Sequence, residues 1–494
     1  MTGLVEKDAM SSIGGKIVRG AVWSAAEAWG RQAATFVIFI ILARSLDPEA
    51  FGLAALAMVG PVIFAVPVTK GIPDALIQRP EIEPLHLDSA FWFLSAVGAG
   101  LSALIWASAG MIAAAFGQPF LEDLVRWTSI IVALQALAAV PSAVLRRDLH
   151  FRLFALRTFV SSSAGGVLGI GMAIAGFGVW SLVGMQVGKV GLETAIMLLG
   201  SGWHPRLRYS QRHCRDLFGF AGPIVIQSLW NFVNEEMPKV VLGTFLGPHA
   251  VGVYALARRP LDLLVEVFIN PLMSVAMPAV SRMHADPKAV ERFFDATMRL
   301  AGLAGFPVFF GFAALAPIIV PFVFGEQWTS AVLVAQFLMV LGLQRTIDSL
   351  CAFTILALGH ARLILKFNVT YTVLGVISLP LAAQIGLEAT VITLVACNVA
   401  LLPAFLFYTH RVGRIDVLAP LARLPRLAAA AGLMFVCVTV WRLGVPPETP
   451  QLLTIAGGMT IGAVVYVAAA LLLMRAEMLS ARDLLLRLRG GGAG

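Results

Sequence analysis

Residues 45–57 (SLDPEAFGLAALA) return two hundred positions later as residues 245–257 (FLGPHAVGVYALA). Seven of the thirteen aligned positions are identical: Leu46/Leu246, Pro48/Pro248, Ala50/Ala250, Gly52/Gly252, Ala55/Ala255, Leu56/Leu256 and Ala57/Ala257. Each copy is a Pro/Gly turn between two long apolar stretches. The chain around them is 59% hydrophobic and 13% charged, with mean hydropathy +0.86. Soluble domains run near a quarter charged, so most of this chain faces lipid. A turn duplicated in such a chain implies two membrane-embedded halves built on one plan, as in many secondary transporters.

A hydrocarbon core of about 30 Å takes roughly 20 apolar residues per helix. Apolar runs between polar or Pro/Gly breaks then predict about fourteen transmembrane helices, near 18–43, 51–77, 88–116, 124–145, 153–175, 179–200, 217–246, 251–280, 294–322, 329–358, 363–383, 387–409, 425–443 and 451–474. With the N-terminus in the cytoplasm, 26 of the 36 Lys and Arg fall on the cytoplasmic side. Only Arg44, Arg126 and Arg442 fall opposite, and seven lie within spans. That alternation is what the positive-inside rule requires, and it places both termini in the cytoplasm. It also gives the net charge of +8 a topological reading in place of nucleic-acid binding.

Six spans separate the repeat copies, so both turns share one face. The expected architecture is an all-α membrane protein of two parallel-repeat six-helix lobes around a central cavity, plus two C-terminal helices. Its divisions are 1–210 (spans 1–6), 211–415 (spans 7–12) and 416–494 (spans 13 and 14 and a basic tail). The tail, Arg475 to Arg489, mixes basic and leucine residues as an interfacial helix on anionic lipid does. The first twenty residues read as a polar lead, not a cleavable signal.

Charged residues inside spans are the informative polar groups: Glu27 and Arg31; Lys70 and Asp74; Lys189 and Glu193; Glu235, Glu236 and Lys239; Arg258, Arg259, Asp262 and Glu266; Arg345 and Asp348. Each cation has an acid three or four residues away on its own helix, which is ion-pair spacing. Pairing in a dry interior is therefore one reading, and lining a polar cavity the other. A mid-bilayer charge costs about 3 kcal/mol on insertion scales, whereas a surface helix pair returns a few tenths. The difference favours water reaching these groups in one shared chamber.

Prolines recur in span 2 (Pro61, Pro67, Pro73), span 7 (Pro223, Pro238), span 8 (Pro260, Pro271, Pro278) and span 9 (Pro307, Pro317). They read either as packing kinks or as bends beside an opening cavity. Gly165, Gly166, Gly169, Gly171 and Gly176 sit in an apolar span with small-xxx-small spacing, pointing to close helix packing and not to a phosphate loop. Trp23, Trp29, Trp92, Trp180, Trp328 and Trp441 read mostly as interfacial belts. The eight histidines are scattered, mostly at span ends, without metal-ligand spacing, so no metal is expected; Cys214, Cys351, Cys397 and Cys437 read as buried free thiols. No Gly-x-x-x-x-Gly-Lys-Ser/Thr motif occurs, and no loop has room for a nucleotide-binding domain. No cofactor is expected.

Five stretches carry a family resemblance: LARSLDPEAFGLAAL (42–56), DALIQRPEIEPLHLDSAFW (74–92), PSAVLRRDLHFR (141–152), GFGVWSLV (176–183) and VLGTFLGPHAVGVYALAR (241–258). Together they resemble the bacterial polysaccharide transporters, the lipopolysaccharide and exopolysaccharide flippases of the multidrug/oligosaccharidyl-lipid/polysaccharide exporter superfamily, over roughly residues 15–415. The resemblance implies two six-helix lobes around a V-shaped cavity and alternating-access transfer of a polyprenyl-diphosphate-linked oligosaccharide across the cytoplasmic (inner) membrane. It implies membrane lipid, a polysaccharide polymerase and chain-length machinery as partners, and a transporter, not an enzyme. Cavity cations would meet the diphosphate, for which this chain offers Arg31, Lys70, Lys239, Arg258, Arg259 and Arg345, with Arg31 and Arg258 or Arg345 foremost. Acids would couple ions, for which it offers Glu27, Asp74, Glu235, Asp262 and Asp348. Many relatives carry Asn and Asp late in helix 7, where this chain has Glu236 and Pro238, so a helix-7 site carries over poorly.

Three alternatives accompany that expectation. A sugar facilitator with two parallel six-helix halves would carry Gly-x-x-x-Asp-Arg-x-Gly-Arg between spans 2 and 3, a signature this chain lacks. A multidrug or cation antiporter of the same superfamily would also use intramembrane acids. A membrane-embedded polysaccharide polymerase would need a large outer loop for its catalytic groups, and the outer loops here are very short.

Overall fold

In the computed structural model, residues 32, 34–79, 81–148, 151–270, 287–357, 359–413 and 424–473 are described. Among them the chain is helical. The order is α1 (Ala34–Ser45), α2 (Pro48–Phe64), α3 (Val66–Thr69), α4 (Ile72–Gln78), α5 (Pro84–Ala115), α6 (Leu121–Arg147), α7 (Phe151–Ile174) and α8 (Trp180–Gly200). It continues with α9 (Gln211–Leu264), running into a π-helical turn Val265–Ile269, then α10 (Pro287–Phe324), a 3-10 turn Glu326–Trp328 and α11 (Ala331–Ala357). The last four are α12 (Ala361–Ala383), α13 (Leu387–Gly413), α14 (Leu424–Gly444) and α15 (Gln451–Leu473). Eleven helices are long and apolar enough to cross a membrane, twelve with the bent α2–α4 segment. Expected spans 1 and 8 fall partly outside the described residues. Large apolar side chains such as Ile174, Leu199, Ile385 and Leu472 stand fully outward, as they do where the solvent is lipid.

The repeat turns show how each lobe begins. Asp47 caps α2, its Oδ1 accepting the Ala50 N–H at 2.7 Å, and Pro48 takes the first turn, where a missing N–H costs nothing. Asp47→Ala should therefore remove about 1 kcal/mol of stability, read as a lower melting temperature of the purified protein. An unchanged melting temperature would mean that tertiary contacts alone hold this turn. In the second copy Gly247 makes the turn, with φ +82° and ψ −178°, a conformation open to glycine. It divides the 54 residues of α9. At 1.5 Å per residue these would run about 80 Å as one rod, more than two hydrocarbon cores.

The prolines of span 2 mark a real bend. Pro61 lies within α2, Pro67 opens α3 and Pro73 opens α4, and the two ends of the segment differ in direction by 48°. Gly71, at φ +81°, turns the chain between α3 and α4, and its N–H is taken up by Asp74 Oδ2 at 3.3 Å. Gly165, Gly166 and Gly169 of α7 pack closely as expected, whereas a Cβ on Gly171 or Gly176 would meet nothing within 4 Å. A Cβ on Gly165 would stand 2.8 Å from Lys189 Cβ, and one on Gly169 2.8 Å from Met185 Cβ, both on α8.

α14 and α15 stand apart in packing. They form with α10 a second apolar cluster that includes Phe306, Leu315, Leu427, Met434, Val438 and Tyr466. The Tyr466 hydroxyl donates to the Leu303 carbonyl at 3.1 Å.

Candidate functional site

The two repeat turns meet each other. A Cβ on Gly52 would lie 1.7 Å from the Pro248 carbonyl oxygen, and one on Gly252 1.8 Å from the Pro48 carbonyl oxygen. Both partners of each contact are aligned repeat positions, so the two contacts are one contact seen twice. That reciprocity is the signature of a two-fold relation. Bare backbone at both glycines lets the helices approach this closely.

Around this centre the turn end of the bundle is sealed. Arg44 donates from Nε to the Val323 carbonyl at 2.9 Å and from Nη2 to the Phe322 carbonyl. Trp328 Nε1 and Gln327 Nε2 both donate to the Ala43 carbonyl, at 2.8 and 3.0 Å. Phe51 meets Trp328 edge-on at 5.2 Å, and Phe324 takes Phe36 and Phe39 in the same way. Trp328 is fully buried. It is thus a bolt between α1 and the 3-10 turn, and not the interfacial residue that its place at a span end predicts.

Below the seal a cavity of about 410 Å³ runs between α1, α2, α7 and α8 on one side and α9 on the other. Its walls are mostly apolar (Ile38, Phe39, Leu42, Phe51, Met58, Val62), yet among the described residues it is lined by three cations, Lys189, Lys239 and Arg259, and by no carboxylate. Lys239 is bound by Glu236 through both oxygens, at 2.8 and 2.9 Å. The Arg259 guanidinium lies over the Phe39 ring at 5.5 Å, and its buried Nε has no hydrogen-bond partner. Among the described residues no carboxylate pairs with Arg259 or Lys189. A dianion entering here meets uncompensated positive charge in a low-dielectric wall, where charge-assisted bonds are strongest.

The second cavity, about 310 Å³, lies within the second half of the chain. Asn231, Asn234, Glu235, Tyr254, Arg258, Arg345, Tyr371 and Asn398 line it. Here the charges alternate: Glu235 to Arg258 at 2.6 Å, Arg258 to Asp262 at 3.3 Å, Asp262 to Arg345 at 3.4 Å. Two acids and two cations make it near neutral. Asn368 donates to Asn231 and Asn398 to Tyr371. A third, smaller cavity of about 160 Å³ in the first half holds Arg146, Arg157 and Glu193.

The in-span charges expected to share one chamber line different cavities among the described residues, and helical geometry is the reason. Successive residues on a helix diverge by about 100°, so adjacent Arg258 and Arg259 enter different cavities. Same-helix pairing is also only part of the pattern. Lys239–Glu236 and Arg258–Asp262 follow it, whereas Arg258–Glu235 spans 23 residues of α9 and Arg345–Asp262 joins two helices.

Of the expected substrate contacts, Lys239 and Arg259 line the central cavity and Arg258 and Arg345 the second. Lys70 ends α3 outside these cavities. Of the expected coupling acids, Glu235 lines the second cavity and Asp262 is ion-paired to both its arginines; Asp74 caps α4, and Asp348 accepts from Gln344 Nε2 at 3.0 Å. Arg31 and Glu27 lie outside the described residues. Lys189 was visible as an in-span charge, but its direction was not. Asn231, Asn234, Tyr254, Tyr371 and Asn398 are uncharged, so a reading that follows in-span charges passes over them.

Residues 41–333 match the family model described as "Polysaccharide biosynthesis protein". The chain is 28% identical over 317 residues to the succinoglycan biosynthesis transport protein ExoT of Rhizobium meliloti (strain 1021), covering 64% of each chain and so just under two thirds of that protein's length. It is 26% identical to the teichuronic acid biosynthesis protein TuaB of Bacillus subtilis (strain 168), over 77% of this chain and 80% of that one. Among solved structures it shares the fold of the lipid II flippase MurJ in an inward closed conformation, with TM-score 0.71 and 13% identity over 92% of this chain and all of that one.

Proposed function

The chain belongs to the polysaccharide biosynthesis protein family, and on that premise we propose that it carries a polyprenyl-diphosphate-linked oligosaccharide across the bacterial cytoplasmic membrane for exopolysaccharide or lipopolysaccharide assembly. The observation that carries this reading is the central cavity beneath the turn end, whose described lining includes Lys189, Lys239 and Arg259 and no carboxylate. The diphosphate sits between Arg259 and Lys189, the sugars occupy the remaining volume, and the polyprenyl tail stays in lipid. Rocking of one lobe (1–210) against the other (211–415) about the turn-to-turn contact then alternates access, with α14 and α15 riding on the second lobe through α10. Both termini are cytoplasmic, and the partners are membrane lipid, a polymerase and chain-length machinery. The likeness to ExoT, a succinoglycan biosynthesis transport protein, and to MurJ, a lipid II flippase, supports the same reading.

Deleting the gene should remove surface polysaccharide and leave lipid-linked oligosaccharide on the cytoplasmic leaflet, with drug tolerance unchanged. Altered drug tolerance with intact polysaccharide would instead assign the chain to the antiporters of the superfamily. The near-neutral second cavity is the place for ion coupling, through Glu235 and Asp262. Asp262→Asn leaves Arg258 and Arg345 sharing one fewer acid. It is expected to abolish the dependence of transport in proteoliposomes on an imposed proton or sodium gradient while oligosaccharide binding persists. A gradient response equal to wild type would remove Asp262 from that role.

A further inference from the structure

We propose that Glu83, His86 and His213 form a divalent transition-metal site of zinc type, stapling the turn before α5 to the first turn of α9. One ring nitrogen of each histidine and one Glu83 carboxylate oxygen lie within 4.8 Å of one another. Glu83 and His86 are three residues apart across the start of α5, and His213 comes from the first turn of α9, 127 residues beyond His86. The two rings meet edge to face with centroids 4.4 Å apart. Ligands about 2.0–2.2 Å from a tetrahedral zinc stand about 3.3–3.6 Å from each other. The His213 Nε2 to Glu83 Oε2 edge is already 3.3 Å, so side-chain rotation closes the rest.

Hydrogen bonding points to a cation at this place. His213 Nδ1 lies 2.7 Å from the Ser210 hydroxyl, and Ser210 is itself held by its N–H donating to Ser89 Oγ at 2.9 Å. Donating Nδ1–H to that hydroxyl is the outer-shell bond that orients a metal-binding histidine. In that tautomer the Nε2 lone pair faces the Glu83 carboxylate at 3.3 Å, and a cation between the two would be held by both. His86 adds an independent observation. It is 3% exposed, and its Nε2 is buried with no hydrogen-bond partner, a state that otherwise costs about 1–3 kcal/mol. Whichever nitrogen of His86 binds the metal, the 3.2 Å bond from the Glu83 N–H to its Nδ1 is given up. Two imidazoles and one carboxylate are the ligands zinc takes, with a fourth position left to water. The sequence carries no trace of this set, because the two histidines are brought together only by the connection between the halves.

The test uses the full-length protein in nanodiscs, with zinc and cobalt as probes. One equivalent of Zn²⁺ should bind and raise the melting temperature. Outer-shell changes alone cost metal sites about 10–100-fold, so Ser210→Ala should weaken binding in that range, and His213→Ala and Glu83→Gln by about 100-fold or more. Co²⁺ should show visible bands of a nitrogen and oxygen site, without the near-ultraviolet sulfur band that neighbouring Cys214 would produce. Glu83 is exposed, so Glu83→Gln tests the site with little risk to the fold. Zinc binding that Glu83→Gln and His213→Ala leave unchanged, or no binding at all, would overturn the proposal. A sulfur band lost on Cys214→Ser would overturn it as well. Polysaccharide export is a separate readout, so failure here leaves the proposed transport untouched.

Discussion

Gly52→Ala and Gly252→Ala are each expected to abolish polysaccharide export while the neighbouring helices still insert. The added methyl would stand 1.7 Å from the Pro248 carbonyl oxygen in one variant and 1.8 Å from the Pro48 oxygen in the other. No side chain can rotate to make room, because the obstacle is backbone at both sites. The helices must separate at the turn end, which also strains the bonds from Arg44 and Trp328 that seal it. Overpacking of this kind costs about 1–3 kcal/mol, occasionally more, and each 1.4 kcal/mol is a tenfold change in an equilibrium. The sealed state therefore falls about ten- to hundredfold in population. Because the contact is reciprocal, the two variants should behave alike, and the double variant should add little once the turns are already apart. Cysteines placed at residues 49 and 249 report the separation through crosslinking, and Gly100→Ala, with nothing within 4 Å of the new methyl, serves as the control. Normal export with an undiminished crosslink in Gly52→Ala would show that the turns are not held together in the working protein.

These glycines also mark how far the sequence could be read. The duplicated turn was legible, and with it the two-fold plan, because proline and glycine leave punctuation in any apolar chain. That the two copies touch each other was not legible. Contact between positions two hundred residues apart leaves no local pattern. Span 2 shows the same division: Pro61, Pro67 and Pro73 announced a bend, and only the structure supplied its 48°. In the cavities the charged residues were visible because charge is costly in lipid. Their partition between chambers was not, since it depends on the rotation of each helix about its axis. Arg258 and Arg259 are neighbours in sequence and belong to different sites. Trp328 misled for a related reason. Its place at the end of an apolar run suggested the membrane interface, whereas the 3-10 turn before α11 folds it inward against Ala43 and Phe51.

Replacing Lys189 and Arg259 together with glutamine is expected to lower transport by at least a hundredfold at unchanged protein level. The two cations lie in the same cavity on α8 and α9, on opposite sides of the interlobe space, and neither pairs with a carboxylate among the described residues. Each charge-assisted hydrogen bond to a phosphate contributes about 1.5–3 kcal/mol, so losing two removes about 3–6 kcal/mol, or a factor of about 10²–10⁴ in affinity. Lys239→Gln should cost less, because Glu236 already takes that ammonium through two oxygens. The replacement would even leave Glu236 as an unpaired anion beside the diphosphate, which Glu236→Gln in the same background relieves. Arg258→Gln should act differently again, by freeing Glu235 and leaving Asp262 to Arg345 alone in the other cavity. Its expected mark is a changed response to ion gradients with oligosaccharide binding retained. Binding of a fluorescent polyprenyl-diphosphate oligosaccharide to protein in nanodiscs separates the two chambers. If Lys189→Gln/Arg259→Gln binds as tightly as wild type while Arg258→Gln does not, the diphosphate belongs in the second cavity, and the roles assigned to the two chambers are reversed.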